Sequence, residues 1–442
     1  MGSPGKSPAH RFARGVGMFF FLAAGPTLVA TPGLAATRYV NPDGSGDATT
    51  IRDAIALAPV FGDTILVAPG QYTELPDSGP GPGIVLPYVV LLSEAGPAAT
   101  SINPLGNPLV TAAVQMAHPQ AVLDGFTIEG TPPGASGVLV SNPGTAAVAI
   151  RNCTFLFIDE TATSNGAAAI DSPKIGPSGD PFTVSGCRFV GCYLGIDASW
   201  TTVSVTGCTF EVSRLWGIGS SASDVDVTDC VFRSNAAGGA VLSGGDITVT
   251  DCWFEGNLSV SRGSALDVSP SIVSGATIQD NVFLSNHVTG SGFIGGALFL
   301  TGYGTALVHG NTFYGNSASL RGSAFCHNGS VSCTITNNIF ARAPAGAAAV
   351  YTSEPLSSSC NLFWELDGGI GENFTPSATD LVGIDPLFCN EAFRPLDLRV
   401  AANSVALPAN SPQCGQIGAL DEGCAAISIE ALSWGAIKSL YR

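Results

Sequence analysis

Val205-Thr-Gly-Cys-Thr-Phe210 returns as Val227-Thr-Asp-Cys-Val-Phe232 and again as Val249-Thr-Asp-Cys-Trp-Phe254, 22 residues apart each time. A fixed period of this size marks a solenoid, in which each repeat buries its apolar side only against its neighbours. Extending the template gives nine copies, centred on Phe155, Phe189, Phe210, Phe232, Phe254, Phe283, Phe313, Phe340 and Phe363. Five residues before each Phe stands Val or Ile, until Ser358 breaks the rule. Three before it comes Asn152, Gly186, Gly207, Asp229, Asp251, Asp280, Gly310 or Asn337, then Cys360. Two before it stand Cys153, Cys187, Cys208, Cys230 and Cys252, followed by Asn281, Asn311, Asn338 and Asn361.

Val203 and Val205 are two apart, so they share one side of a strand. The Asn, Asp or Gly that follows tolerates the backbone angles of a corner. Twenty-two residues are too few for strand, crossover helix and strand. They fit one turn of a coil whose strands stack in parallel, about 4.8 Å apart along the axis. The expected fold is all-β, a right-handed parallel β-helix solenoid with a short N-terminal capping helix.

Past the aromatic position, Asn235, Asn257, Asn286 and Asn316 each sit three residues after a Phe. Small-residue strands follow: Gly238-Gly-Ala-Val241, Gly263-Ser-Ala-Leu266, Gly295-Gly-Ala-Leu298 and Gly322-Ser-Ala-Phe325. Small side chains leave room for the Phe across a narrow core. The Phe-x-x-Asn and Gly-Gly-Ala pairing resembles the repeats of polymorphic outer-membrane proteins. More broadly, the chain from Thr37 to Cys424 is similar to bacterial secreted β-helix proteins of the pectin-lyase-like superfamily. Asp43 to Glu74 resembles the opening of many members, and Leu123-Asp-Gly-Phe-Thr-Ile128 their first repeat. The resemblance specifies fold far better than function.

Residues 1–36 read as a signal peptide: Lys6, Arg11 and Arg14 precede the apolar run Val16 to Ala30, and small residues surround Ala35 and Ala36. The run is too short for a spanning helix, so no transmembrane segment is expected in the mature chain. Without those 36 residues, 14 Lys and Arg face 34 Asp and Glu, a net of −20. Such a surface argues against nucleic acid or anionic membrane as partner and repels a polyuronate. Residues 37–75 form an N-terminal cap and first coil, with Thr50 and Asp53 boxing a helix from Ile51 to Ala58 before the strand Thr64 to Val67. Asp43 and Asp47 read as turn residues; they lack the oxygen set of a calcium loop, so calcium is unsupported by a motif and no cofactor is expected.

The β-helix proper is expected over 76–400, a C-terminal cap over 401–424, and a tail over 425–442 that is a candidate sorting or anchoring segment. Longer spacings place an inserted loop around Thr161 to Asp180 and smaller ones near Ser259 to Ser274 and His287 to Gly292. Five cysteines at one repeat position cannot all pair, so they read as an internal ladder continued by Asn. Cys414 and Cys424 are the disulfide candidates, closing a short loop at the C-terminal cap. In similar proteins another Cys stands near Ala406, which leaves the partner of Cys389 open; Cys360 is one choice, and Cys326 with Cys333 is a further candidate pair.

Sugar-cleaving β-helix enzymes carry recognisable machinery, and it is missing. There is no Asn-Thr-Asp, Asp-Asp or Gly-His-Gly set, no Arg-x-Pro-x-x-Arg, and no Arg-Pro-Trp. His309 and His327 read as turn residues. The periodic Asp224, Asp226, Asp229, Asp246 and Asp251 read as solvated corner groups. Tyr193, Trp200, Arg214 and Trp216, on successive coils beside the longest insertion, are the candidate ligand-binding residues, since aromatic rows bind sugar faces or cations; the alternative is that Trp216 fills the core and Trp200 covers a corner. The sequence therefore reads as a secreted or cell-surface (outer-membrane) monomeric protein, non-catalytic, for adhesion or binding of polysaccharide or host glycan. The rival reading is a polysaccharide lyase or glycoside hydrolase with a divergent site.

Overall fold

The computed structural model describes residues 35–58, 61–141, 148–159, 167–172, 182–290, 294–391 and 396–426. Nearly all of residues 1–36, where a signal peptide is expected, and of the tail lies outside them. Each turn of the coil contributes three short strands, and strands of successive turns pair in parallel. Among the described residues, the second face of the coil is a 13-stranded sheet running from Gly70–Tyr72 to Leu381–Val382. The first and third faces are joined into one 24-stranded sheet because a single long strand, Ala240–Thr250, rounds the corner between them unbroken. The helix Ile51–Ala56 buries Ile51 and Ala54, and Thr50 caps it by accepting the Asp53 backbone N–H. Among the described residues, no helix is long and apolar enough to cross a membrane.

The repeated Phe residues form one column. Rings from Phe155 to Phe363 stack face to face, with centroids 4.6 to 5.1 Å apart. The small residues opposite are a steric necessity: a Cβ on Gly239 would lie 2.9 Å from Phe254 Cδ1, and one on Gly217 2.8 Å from Phe232 Cδ1.

Corners follow the sequence too. Every bend residue from Asn152 to Cys360 has φ between 49° and 64°, the left-handed region that Asn, Asp and Gly enter at least cost. A second corner lies two residues past each Phe, again at positive φ, in residues as unlike as Phe157, Val212, Arg342 and Glu365. Residue type does not announce that corner; the stacked turns impose it.

Beside the Phe column runs the predicted ladder. Backbone N–H groups of Cys187, Cys208 and Cys230 donate to the next turn's sulfur at 3.4 Å. At Cys252 the acceptor becomes Asn281 Oδ1, 2.9 Å away, and amides carry the ladder through Asn311 and Asn338 to Asn361. A second amide ladder, Asn235 to Asn316, lines the next corner.

Four expectations need correction. Cys414 and Cys424 do not pair with each other: the disulfides are Cys360–Cys414 and Cys389–Cys424, while Cys326 and Cys333 remain thiols. The chain after Leu387 does not close on itself but returns along the outside of the second face, carrying Cys414 up to the corner at Cys360. The insertion around Thr161 to Asp180 holds a rung, Ala168–Ser172, paired with both neighbours on the third face; its flanks, 160–166 and 173–181, lie outside the described residues. The region Ser259 to Ser274 likewise contains the third-face strand Leu266–Pro270. His309 and His327 end strands rather than sit in turns, and His327 is buried in the core.

The returning segment explains a change in the outer second face. Its upper turns carry an exposed charge zipper, Arg188–Glu211–Arg233–Glu255. Lower down the same face turns apolar, and Val282, Leu284, Ile339 and Leu362 pack against Phe388, Leu398, Val400, Leu407 and Ile417. The Asn337 side chain, which also bends a corner, donates to the carbonyls of Cys414 and Gln416.

Candidate functional site

Alternation along third-face strands sends Ile196, Ile218, Ala240, Leu266 and Leu298 into the core and the residue after each one outward. Register makes those outward residues a column along the axis: Asp171, Asp197, Gly219, Val241, Asp267, Phe299, Cys326, Tyr351 and Glu372. The middle of this column floors a cavity of ≈ 530 Å³, walled by Trp216, Arg262, Ile294 and Asn328.

Trp216 occupies the position that holds Gly238, Ser264 and Gly296 on later turns, two residues before the inward strand residue. Its ring lies outside the sheet, over Gly219, where a Cβ would come 3.1 Å from Trp216 Cε3. The indole N–H donates to the Ala237 carbonyl at 3.1 Å, which fixes the plane of the ring. The bland expectation of a core-filling Trp is thus not met, since the ring is half-buried on the outside.

The opposite wall comes from a short motif used twice. Arg262-Gly-Ser-Ala265 and Arg321-Gly-Ser-Ala324 stand two turns apart, with Ile294-Gly-Gly-Ala297 between them. In both, the Gly at positive φ bends the chain so that the Arg reaches over the outer column. Arg262 lies 4.9 Å from the Phe299 ring centre and its Nε donates to Asp267 Oδ2 at 2.8 Å. Arg321 lies 4.9 Å from the Tyr351 ring centre, donates to the Tyr351 hydroxyl at 3.2 Å, and forms an ion pair with Glu372, Nε to Oε1 at 3.0 Å. Burial pushes the Asp267 carboxyl above its usual range, against the pull of Arg262. Burial also pushes the Cys326 thiol up to about 12, so it does not act as a thiolate.

Higher on the column, Asp171 and Asp197 are register partners on adjacent turns. Burial raises both, and for Asp171 the charge of Asp197 raises it further. Ser136 Oγ and Ser199 Oγ donate to them, at 3.4 and 2.8 Å. Among the described residues, no group of three His, Cys, Asp or Glu side chains is placed to hold a metal ion.

The four residues chosen from sequence are only partly brought together. Tyr193, Arg214 and Trp216 lie where the third face begins, Leu215 N–H donating to the Tyr193 carbonyl at 2.8 Å. Trp200 lies at the far end of the strand Leu194–Ser199, on the third-to-first corner with φ 60°. A six-residue strand separates it from that group by about 20 Å. Arg262, Asp267, Phe299 and Asn328 were missed because turn-to-turn stacking, and no local pattern, joins residues so far apart. The repeated Arg-Gly-Ser-Ala was the available signal.

No curated protein matches the chain. Among solved structures it is similar to the mannuronan C-5 epimerase AlgE6 A-module of Azotobacter vinelandii, at 15% identity and TM-score 0.49, covering 76% of this chain and 93% of that one. It is also similar to the PL6 family polysaccharide lyase Pedsa3628 of Pseudopedobacter saltans, at 11%, TM-score 0.45, and 74% and 96% coverage. Pectate lyase Pel9A is a third, at 14%, TM-score 0.43, and 88% and 97% coverage. Residues 113–266 match the family model described as right handed beta helix region, and with its coiled parallel strands the chain is a right-handed parallel β-helix.

Proposed function

We propose that this protein is an exported, non-catalytic β-helix that binds glycans through the groove on its outer third face. The observation that carries this reading is the cavity between Trp216 and Arg262. It offers an oriented aromatic plane, an apolar floor at Val241, and donors and acceptors from Arg262, Asp267, Ser261 and Asn328. A flat apolar wall facing a few fixed polar groups suits a sugar, which has one C–H face and a rim of hydroxyls. The arginine of the cavity, Arg262, is already paired with Asp267, which favours holding a ligand over activating one. Export agrees with the signal-peptide pattern and with two disulfides, which persist in oxidising compartments. The test is a glycan array followed by titration calorimetry on the mature chain: binding without turnover, weakened about tenfold by Trp216→Ala, is expected.

A second reading has one observation in its favour. Asp171 and Asp197 are neighbouring carboxyl groups, both shifted upward, as in a general acid paired with a second carboxylate. New reducing ends or unsaturated products from a polysaccharide panel, with or without calcium, abolished by Asp171→Asn, would establish a hydrolase or lyase instead.

A further inference from the structure

We infer that the groove takes an uncharged glycan, of the hexose or N-acetylhexosamine type, and discriminates against acidic polysaccharides. This rests on the glycan-binding reading above and specifies its ligand.

The argument begins with Arg262 and Asp267. Their ion pair presents remaining guanidinium N–H donors beside a carboxylate that only accepts. A hydroxyl both donates and accepts, so a pair of neighbouring hydroxyls satisfies this couple without breaking it. A ligand carboxylate accepts only. Taking the remaining Arg262 donors sets it beside the largely buried Asp267 carboxylate, and the two like charges repel where little water screens them. Arg321 is paired with Glu372 two turns further along the axis, on a more exposed part of the same face.

Charge along the column points the same way. A chain lying parallel to the axis passes Asp197 and then Asp171 after Gly219, on turns about 4.8 Å apart. Like charges set against each other lower affinity and slow encounter. The net charge of −20 outside the first 36 residues adds a long-range repulsion for any polyanion. A neutral sugar polymer meets neither penalty, while it keeps the Trp216 plane.

The experiment uses the full exported chain with length-matched soluble oligosaccharides: cello-, manno- and chito-oligomers against oligogalacturonate and oligomannuronate. Calorimetry is run at roughly 20 and 200 mM salt, a range over which screening changes strongly. The expected result is binding of at least one neutral oligomer with an affinity that salt changes less than about twofold, and uronates about tenfold weaker or undetected. Asp197→Asn, outside the ion pairs, raises residual uronate binding, so that the ratio of neutral to uronate affinity falls. Asp267→Asn lowers neutral binding, with the far-ultraviolet dichroism spectrum confirming the fold. Uronates binding as tightly as neutral oligomers, with an affinity that falls as salt rises, overturn the inference while leaving glycan binding intact. Failure of both classes to bind overturns the glycan reading itself.

Discussion

Asp380 receives both the backbone N–H and the side-chain amide of Asn361 on one carboxylate oxygen, at 2.8 and 2.9 Å, and so ends the amide ladder that begins at Asn281. Its other oxygen takes the Ser377 N–H at 2.7 Å. Asp380→Ala strands the buried Asn361 backbone N–H, while the side-chain amide keeps the Ile335 carbonyl, and a buried unsatisfied group costs about 1–3 kcal/mol. Chemical denaturation should show a loss of that order. Hydrogen exchange should rise first in the turn containing Asn361 and then in that of Asn338.

Phe232 is sandwiched between Phe210 and Phe254, with centroids 4.9 and 4.6 Å away. Phe232→Ala opens a cavity that neither neighbour can fill, at a cost of about 3–5 kcal/mol. In a solenoid each turn touches only its neighbours. Amide exchange should therefore accelerate in the turns of Phe210 and Phe254 while the N-terminal turns keep their protection.

The Cys360–Cys414 bond ties the returning C-terminal segment to a corner 54 residues earlier. By loop-closure entropy, a cross-link of that length contributes about 4 kcal/mol. Cys360→Ala with Cys414→Ala should lower the melting midpoint and expose the apolar strip at Val282, Ile339 and Leu362, which dye binding to hydrophobic surface would detect. An unchanged midpoint would mean that packing alone holds the segment.

His327 is fully buried, with Nδ1 against Thr352 Oγ1 at 2.9 Å and Nε2 without a hydrogen-bond partner. Burial lowers its pKa below the ordinary value. Below about pH 6.5 the unfolded chain therefore binds a proton that the folded chain resists. The stability this histidine contributes is present above that pH and is lost as pH falls towards the folded value. His327→Leu should flatten the fall in melting midpoint between about pH 7 and 5 relative to the parent protein. A parallel slope in both proteins would assign the loss to other groups.

Two features were legible in the sequence for physical reasons. The column from Phe155 to Phe363 could be read because each Phe closes the same short pattern of apolar, bend and Cys or Asn positions, whatever the length inserted between copies. The corners at Asp229 and Asn337 could be read because few residue types tolerate left-handed angles. The second corner could not be read, because stacking forces Val212 and Arg342 into the same angles regardless of type. The groove was half-legible: Trp216 stood out, whereas Trp200, equally conspicuous, lies at another corner.

What the sequence alone determined is the winding of this protein: the height of a turn, the direction of each strand residue, and the filling of its interior, all set by contacts between one repeat and the next. Which outer residues meet was decided by the tertiary structure. Insertions of unequal length between Trp216, Arg262, Phe299 and Asn328 leave no fixed spacing to read, and only the parallel register of the stacked turns places them around one cavity. The route of the chain after Leu387 is likewise a tertiary outcome. An apolar strip on one side of the coil, starting near Trp253, gives that segment a surface to cover, and the disulfides then hold it there.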